Sequence, residues 1–519
     1  MNQQEQFFEN QEPTVKLDLY PEIPKLKSVK NKKEIDVRYC LIAPFAYAHI
    51  YWNPRISEVI YEIEEPSLSE EEKIQLAELR KAMKELVNLN EVTKRKQEDL
   101  MKYVDDTLKL LLEEFGWQMT FSSYQKIFYY LYRDFIGLGK IEPLIRDYFV
   151  EDIECNGSEA PVYVVHRVFR NLKTNVRFRE NEALASFVEK IAQKTGKYIS
   201  YANPILDGSL PDGSRVNATY TKDITSKGPT FTIRKFTKTP WTPIQLVAFN
   251  TLSPEMMAYL WLLVENKMNI LIAGGTSSGK TTLLNAIAFF IPPEARVVSI
   301  EDTRELNLPR ENWLPSVARD AVGTNKSGEV DLFQLLKNSF RQNPDYVIVG
   351  EVRGKEAYVL FQGMASGHSS ISTLHAESVD TVIKRLETPP INLSPTLLNV
   401  LDCVCVMTHA IVKKQETRKL REIVEIVNIT PQGIAMTNTP FMWNPRDDQF
   451  YFKKDSKIIQ KISNRTGVPV EELNMEFQRR VQLIYKMFEM GILEFRRVQE
   501  VVSKYYKNPE DVLNKFGIQ

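Results

Sequence analysis

An α/β fold with a parallel sheet is predicted for residues 240–519, and two observations predict it. Short apolar, β-branched runs at Asn269–Ala273, Arg296–Glu301, Tyr346–Val349 and Ser370–Leu374 are separated by helical crossovers. That is the pattern of strands buried on both faces. Between the first run and a helix beginning at Lys280 lies Gly274-Gly-Thr-Ser-Ser-Gly-Lys-Thr281, a match to GxxxxGK[ST] in the strand–loop–helix context that the motif requires.

With 519 residues, 43% of them hydrophobic, the chain is long enough for two or three domains with sizeable cores. The stretch Phe236-Thr-Lys-Thr-Pro-Trp-Thr-Pro243 has two prolines and no periodicity, and is the expected domain boundary. Ahead of it, residues 116–239 read as a smaller α/β domain. A strand is expected at Pro161–Val168, a helix at Glu180–Thr195, a turn-rich segment at 203–216 and a strand at Pro229–Arg234.

Residues 1–115 read as a variable, partly helical extension. Pro13, Pro21, Pro24, Pro44 and Pro54 interrupt short strand-like pieces such as Glu58–Ile63, so the first 65 residues are expected to be irregular. Ser69 with Glu72 forms a capping box, followed by Leu76, Leu79, Met83, Leu86 and Leu89 at helical spacing. A second helix is expected over 98–114, its Lys and Glu residues forming a solvated face. After a last strand-like run, Ile423–Ile429, the chain reads as mostly helical, most clearly over Val468–Met490.

Composition narrows the function classes. Lys+Arg and Asp+Glu both total 67, which gives no electrostatic case for nucleic acid or a polybasic membrane anchor. Cys40, Cys155, Cys403 and Cys405 form no CxxC pair, so a four-cysteine zinc module is not expected, and reduced thiols in a cytosol fit best. The acidic, polar start (residues 1–13) is not that of a signal peptide, and no apolar stretch approaches the ~20 residues of a spanning helix. A cytoplasmic protein is expected, reaching any membrane through a partner.

The loop chemistry points to ATP with Mg2+. Gly274, Gly275 and Gly279 let the backbone turn tightly around phosphate oxygens, with Thr276, Ser277, Ser278, Lys280, Thr281 and Thr282 completing the cradle. Lys280 is expected at the β/γ-phosphates and the Thr281 hydroxyl on Mg2+. Asp345-Tyr-Val-Ile-Val-Gly-Glu351 is an apolar strand ending in an acid, which suits a Walker B carboxylate organising Mg2+. Ser299-Ile-Glu-Asp-Thr303 places Glu301 at the end of another strand, where it could polarise the attacking water. His368 and His375, two of only five histidines, flank the strand Ser369–Leu374 and suggest γ-phosphate sensing or subunit contact, whereas His49, His166 and His409 have no such context. No NKxD follows the loop (Asn325-Lys-Ser-Gly328 is a near miss), which favours adenine over guanine.

In order and content these elements resemble the secretion ATPase superfamily: the motors of type II secretion, type IV pili and the archaeal flagellum, with conjugation and type IV secretion ATPases as more distant relatives. The P-loop is followed by an Asp box, Ile300-Glu-Asp-Thr-Arg-Glu305, a Walker B box, Arg341–Arg353, and a His box, Gly367–His375. Upstream, Gly137–Ile145, Val150–Ile153, Leu210–Val216 and Gly228–Phe236 are similar to the family's N-terminal domain, so the likeness spans roughly residues 135–410.

The resemblance implies a RecA-like P-loop domain capped by the N-terminal domain. Glu301 would be its catalytic glutamate, Glu351 its Walker B acid, and His368 and His375 its His-box residues. Arg215 and Arg234, with Arg341 as a weaker candidate, would reach the phosphates in part across a subunit interface. It further implies hexameric rings at the inner face of a membrane, acting on a polytopic platform protein and a pilin- or flagellin-like machine. The missing four-cysteine module and the wording around the P-loop and Asn312-Trp313 resemble archaeal members most. A conjugation-type ATPase moving DNA or protein is the alternative. A GTPase and a non-catalytic scaffold are disfavoured, the latter by intact Lys280, Glu301 and Glu351.

Overall fold

The computed structural model describes residues 15, 17–24, 26, 31–86, 97–236, 239–319, 328–412, 415–453 and 455–518. The acidic start at 1–13, Leu89 and residues 325–327 of the NKxD near miss lie outside these. The chain divides into two compact units, residues 1–236 and 237–519.

The first unit is a nine-stranded sheet: β1 (Asp36–Ile42), β2 (Ala46–Asn53), β3 (Glu58–Glu64), β4 (Val150–Cys155), β5 (Pro161–His166), β6 (Arg170–Arg177), β7 (Ile205–Ser209), β8 (Arg215–Thr219) and β9 (Thr230–Arg234). Their order is β1-β2-β3-β6-β5-β4-β9-β8-β7, and every pairing is antiparallel except the short parallel contact of β3 with β6. Residues 36–64, expected to be irregular, are therefore strands of the same sheet as 150–234 rather than part of a separate extension. Pro44 and Pro54 stand in turns beyond the strand ends, where proline removes no ladder hydrogen bond. The turn-rich segment around Asp207–Val216 is the β7–β8 hairpin. The capping box forms as expected, with the Ser69 and Glu72 backbone N–H groups donating reciprocally to the Glu72 and Ser69 side chains at 2.8 and 3.1 Å.

A buried polar cluster ties the first three strands in. The hydroxyls of Tyr39 and Tyr61 donate to Asp147 Oδ2 at 2.7 and 2.6 Å, while the Phe149 N–H donates to Asp147 Oδ1 at 2.7 Å. His166 Nδ1 accepts from the Val168 and Phe169 N–H groups, which leaves the proton on Nε2, 3.2 Å from the Tyr39 hydroxyl. Burial pushes the His166 pKa down to about 4, so the ring is neutral. The Asn175 amide imitates a strand, bonding both the N–H and the carbonyl of Ile63.

The second unit holds β10 (Ile270–Gly274), β11 (Val297–Glu301), β12 (Trp313–Val317), β13 (Tyr346–Val349), β14 (Ser369–His375), β15 (Cys403–Val412), β16 (Gln415–Ile429), β17 (Ala435–Asn444) and β18 (Gln449–Phe452), in the order β12-β11-β13-β14-β10-β15-β16-β17-β18. The first six strands are mutually parallel and the last three run antiparallel. With β14 inserted between the P-loop strand β10 and the Walker B strand β13, this is the RecA-like arrangement. The strands β17 and β18 fall where mostly helix was expected.

Alternate strand residues serve two cores. Ile270, Ile272, Val297, Ile348 and Ile371 pack with the helices Pro254–Glu265 and Lys280–Ala288. Leu271, Ala273, Val298, Ile300 and Val347 pack with Leu332–Ser339, Glu356–Ala365 and Val379–Glu387 on the other face. The C-terminal helices, from Lys457–Thr466 onward, join the first of these cores.

Replacing Tyr61 by Phe removes one donor to a buried carboxylate while keeping the ring. A urea-unfolding measurement should find the transition that includes residues 36–236 weakened by about 1.5–3 kcal/mol.

Candidate active site

The parallel register sets the site. Gly274, the last residue of β10, lies opposite His375 of β14 on one side and Met407 of β15 on the other. Gly274 cannot be larger, because a Cβ there would stand 2.4 Å from Ser278 Oγ and 2.7 Å from the Met407 carbonyl oxygen. Ser277 and Gly279 adopt left-handed φ values of 57° and 96°, which fold the chain back into the helix at Lys280. Ser278 Oγ donates to the Gly275 carbonyl at 2.8 Å, bracing the turn. No side chain caps this helix, so its first-turn N–H groups and positive dipole end are available to an anion.

A line of alternating charge runs from the loop along the strand ends. The ammonium of Lys280, 7% exposed, donates to the Gly275 carbonyl at 2.8 Å and stands 3.4 Å from both ring nitrogens of His375. His375 Nε2 lies 3.2 Å from Glu351 Oε1, and Arg353 Nη2 donates to Glu351 Oε2 at 2.5 Å. Arg353 Nη1 also faces Asp302 at 3.7 Å. Burial opposes the charge on Glu351, but the hydrogen bond and charge of Arg353, with His375 and Lys280, outweigh it and hold the carboxyl below its ordinary range. Burial, then the Lys280 ammonium, lowers the His375 pKa, so its ring is neutral near pH 7.

Glu301 is set apart from this line. It is 2% exposed at the end of β11, and Gly350 leaves room for it, since a Cβ there would be 3.1 Å from Glu301 Cγ. Its Oε1 accepts from the Glu305 and Leu306 N–H groups, both at 2.9 Å, while Oε2 is buried with no partner among the described residues. Burial raises its pKa to about 7 against the pull of those two donors. A buried carboxyl that titrates near neutrality, with one oxygen unengaged, is suited to exchange a proton with water.

These residues fit a nucleoside triphosphate with Mg2+. The loop is a cradle that a side chain at Gly274 would fill, a buried ammonium stands beside it, and the partly exposed Thr281 and Thr282 open the helix. Thr276 and Ser277 are exposed on the loop rim. Other expected residues stand elsewhere. His368 precedes β14 and so lies at the opposite edge of the sheet, roughly 20 Å along the strand from His375 at ~3.3 Å per residue. It packs on the Phe340 ring instead, with centroids 4.9 Å apart. Arg341 precedes β13, on that same far edge. Arg215 and Arg234 face each other in register on β8 and β9 of the first unit, where Arg215 pairs with Asp207 at 2.8 Å. Arg353 was given no role from the sequence; its place two residues beyond the Walker B acid was the available signal.

The sequence profile of the "Type II/IV secretion system protein" family matches residues 136–439, more than half of the chain. The chain belongs to that family. An uncharacterised protein of Methanocaldococcus jannaschii is 37% identical over 417 residues, covering 79% of this chain and 73% of its own. The conjugal transfer protein TrbB of Rhizobium radiobacter is 33% identical over 228 residues, covering 43% of this chain and 68% of its own. Among solved structures, the VirB11 ATPase of the Brucella suis type IV secretion system is 26% identical and covers 55% of this chain and 92% of its own, with a TM-score of 0.29. At that score the superposition transfers no geometry. The archaeal relative agrees with the archaeal branch that the motif wording suggested.

The raised pKa of Glu301 has a stability consequence. Unfolded, the residue titrates near 4.5, and in the fold near 7. Its favourable contribution is therefore complete below pH ~4.5 and is lost as pH rises through 7. Thermal melts of Glu301→Gln should show the variant gaining on the parent between pH 5 and 8, levelling near 3 kcal/mol. An equal offset at both pH values would contradict the burial argument.

Proposed function

We propose that this protein is a hexameric, Mg2+-dependent ATP-hydrolysing motor. It powers assembly or secretion through an archaeal pilus-like or flagellar-like machine of the type II/IV class. The observation that carries this reading is Glu301, a buried carboxyl with one unengaged oxygen, at the same sheet edge of the family's scaffold as the Lys280–His375–Glu351 line.

In this reading the loop 274–282 holds the phosphates and Lys280 offsets charge on the β- and γ-groups. Thr281 and Glu351 would hold Mg2+, which supplies charge neutralisation when bound. Glu301 Oε2 accepts a proton from the attacking water while the water oxygen bonds to the γ-phosphorus. The bond to the bridging oxygen breaks, and its electron pair leaves with ADP. His375, neutral and between Lys280 and Glu351, is placed to report whether the γ-phosphate is present. Arg215 and Arg234 would add positive charge to the phosphates from the first unit of a neighbouring subunit.

Force would pass to a polytopic platform protein at the inner face of the membrane. No described helix is long and apolar enough to cross a membrane, so attachment through that partner is part of the proposal. The second reading, conjugation-type translocation of DNA or protein, is favoured by the likeness to a conjugal transfer protein. Balanced charge, 67 basic against 67 acidic residues, weighs against nucleic acid as the load.

Turnover of Mg–ATP by Lys280→Ala and Glu301→Gln should fall at least about a hundredfold. Light scattering with a non-hydrolysable ATP analogue should give about six subunits, as the family resemblance implies. Parent-like turnover in either variant would remove the site assignment, and a strict monomer would remove the ring. Stimulation by DNA but not by a membrane fraction would favour the second reading.

A further inference from the structure

Asn285 lies inside the P-loop helix, within the apolar run Leu283-Leu-Asn-Ala-Ile-Ala288, and is 5% exposed. Asparagine is a poor helix-interior residue because its amide competes for backbone partners. Here the amide bonds both the first turn of its own helix and a separate segment. Its Nδ2 donates to the Thr281 carbonyl one turn back and to the Glu305 carbonyl, both at 3.3 Å, while its Oδ1 accepts from the Asn307 N–H at 3.1 Å.

The contacts at 305 and 307 bracket Leu306. The Leu306 N–H lies between them and the Glu305 N–H immediately ahead of them, and these two groups hold Glu301 Oε1. The amide thus pairs with the Asp-box loop as a neighbouring strand would, one carbonyl and one N–H two residues apart. The loop's far end is anchored independently, by Arg310 donating to the carbonyls of Ile291, Pro292 and Ala295. The buried side chains of Leu306 and Leu308 hold it to the core. Asn285 joins the stretch around Glu301 to the first turn of the P-loop helix through hydrogen bonds at both ends.

We infer that Asn285 is a positioning residue: its amide locks the 305–307 backbone to the P-loop helix, so that the orientation of the Glu301 carboxylate is set by the element that grips the phosphates. This rests on the ATPase reading above and adds to it a residue that acts through the backbone at 305–307. Removing the amide leaves the P-loop backbone, Lys280 and Thr281 in place but frees the two N–H groups that orient Glu301. Binding should survive and the chemical step should not.

The test uses the full chain with Asn285→Ala and, in case that variant folds poorly, the isosteric Asn285→Asp, which keeps the acceptor and loses the donor. A fluorescent ADP should bind each within about threefold of the parent. The kcat for Mg–ATP should fall about 10–100-fold, the size of a misplaced catalytic group. Because the Glu305 and Leu306 donors hold the Glu301 pKa down, their release should move the acid limb of the kcat profile to higher pH. An ADP affinity that falls in step with kcat would overturn the inference in favour of general disruption of the helix. Parent-like kcat and pH profile in both variants, with Glu301→Gln inactive, would overturn it outright. A fully active Glu301→Gln would instead bring down the underlying assignment of Glu301.

Discussion

The second unit depends on the parallel, in-register pairing of β10 with β14 and β15. Parallel strands bring their C-terminal ends to one edge, and register decides which residues stand level there. With Ile270 opposite both Ile371 and Cys403, the last residues Gly274, His375 and Met407 come side by side. The pairing of β11 with β13, Ile300 against Val349, then places Glu301 level with Gly350 and one residue short of Glu351. A slip of one residue would exchange the two cores, because Leu271 and Ile272 face opposite sides of the sheet. The burial that fixes the register is therefore also what aligns the candidate site at that edge.

That edge gives two carboxyls different proton affinities. Glu351 sits beside the Arg353 guanidinium, with His375 and the Lys280 ammonium on its other side, and is held ionised. Glu301 is buried, and although two N–H donors and the Arg304 charge favour its ionised form, burial outweighs them and its proton affinity rises. Environments that push two acids apart in this way suit them to different chemistry, the ionised one to a cation and the other to proton exchange. The separation depends on geometry rather than residue type, since either acid in the other's place would titrate differently. Gly350 contributes by its size alone, because a side chain there would press on Glu301 Cγ.

Much of this was legible in the sequence because the chemistry demands residue types at fixed spacing. A tight phosphate loop needs glycines and a lysine, and an acid at the end of an apolar strand is visible as such. His368 shows the limit. Both His368 and His375 flank one strand, but in a parallel sheet only the C-terminal end reaches the loop edge, and strand direction excludes His368. Strands β1 and β2 were obscured by prolines that lie in their turns, whereas the strand-like run Glu58–Ile63 is β3. Strands β17 and β18 were obscured by bulges in the pairing of β16 with β17, which break the period-two pattern, and by Pro440 inside β17. Asn285 was invisible for another reason. Periodicity assigns a polar residue in an apolar helix to solvent, and only its burial against residues 305–307 reveals the contact.

The segments outside the family match are built in by the same device on both sides. Asp147, within the match, is satisfied by Tyr39 and Tyr61 from outside it. Glu425, fully buried on β16, accepts from the Ser456 hydroxyl at 2.5 Å and from the Lys457 and Ile458 N–H groups at 2.8 and 3.4 Å, at the start of the first C-terminal helix, and also from Tyr259 and Asn438. A buried carboxylate stripped of its partners costs about 3–5 kcal/mol, a large part of a domain's whole stability. Neither segment is therefore a detachable appendage. Any partner that engages residues 36–64 or the C-terminal helices acts on structure continuous with a folded core, so a pull on either segment is borne by the unit to which it belongs.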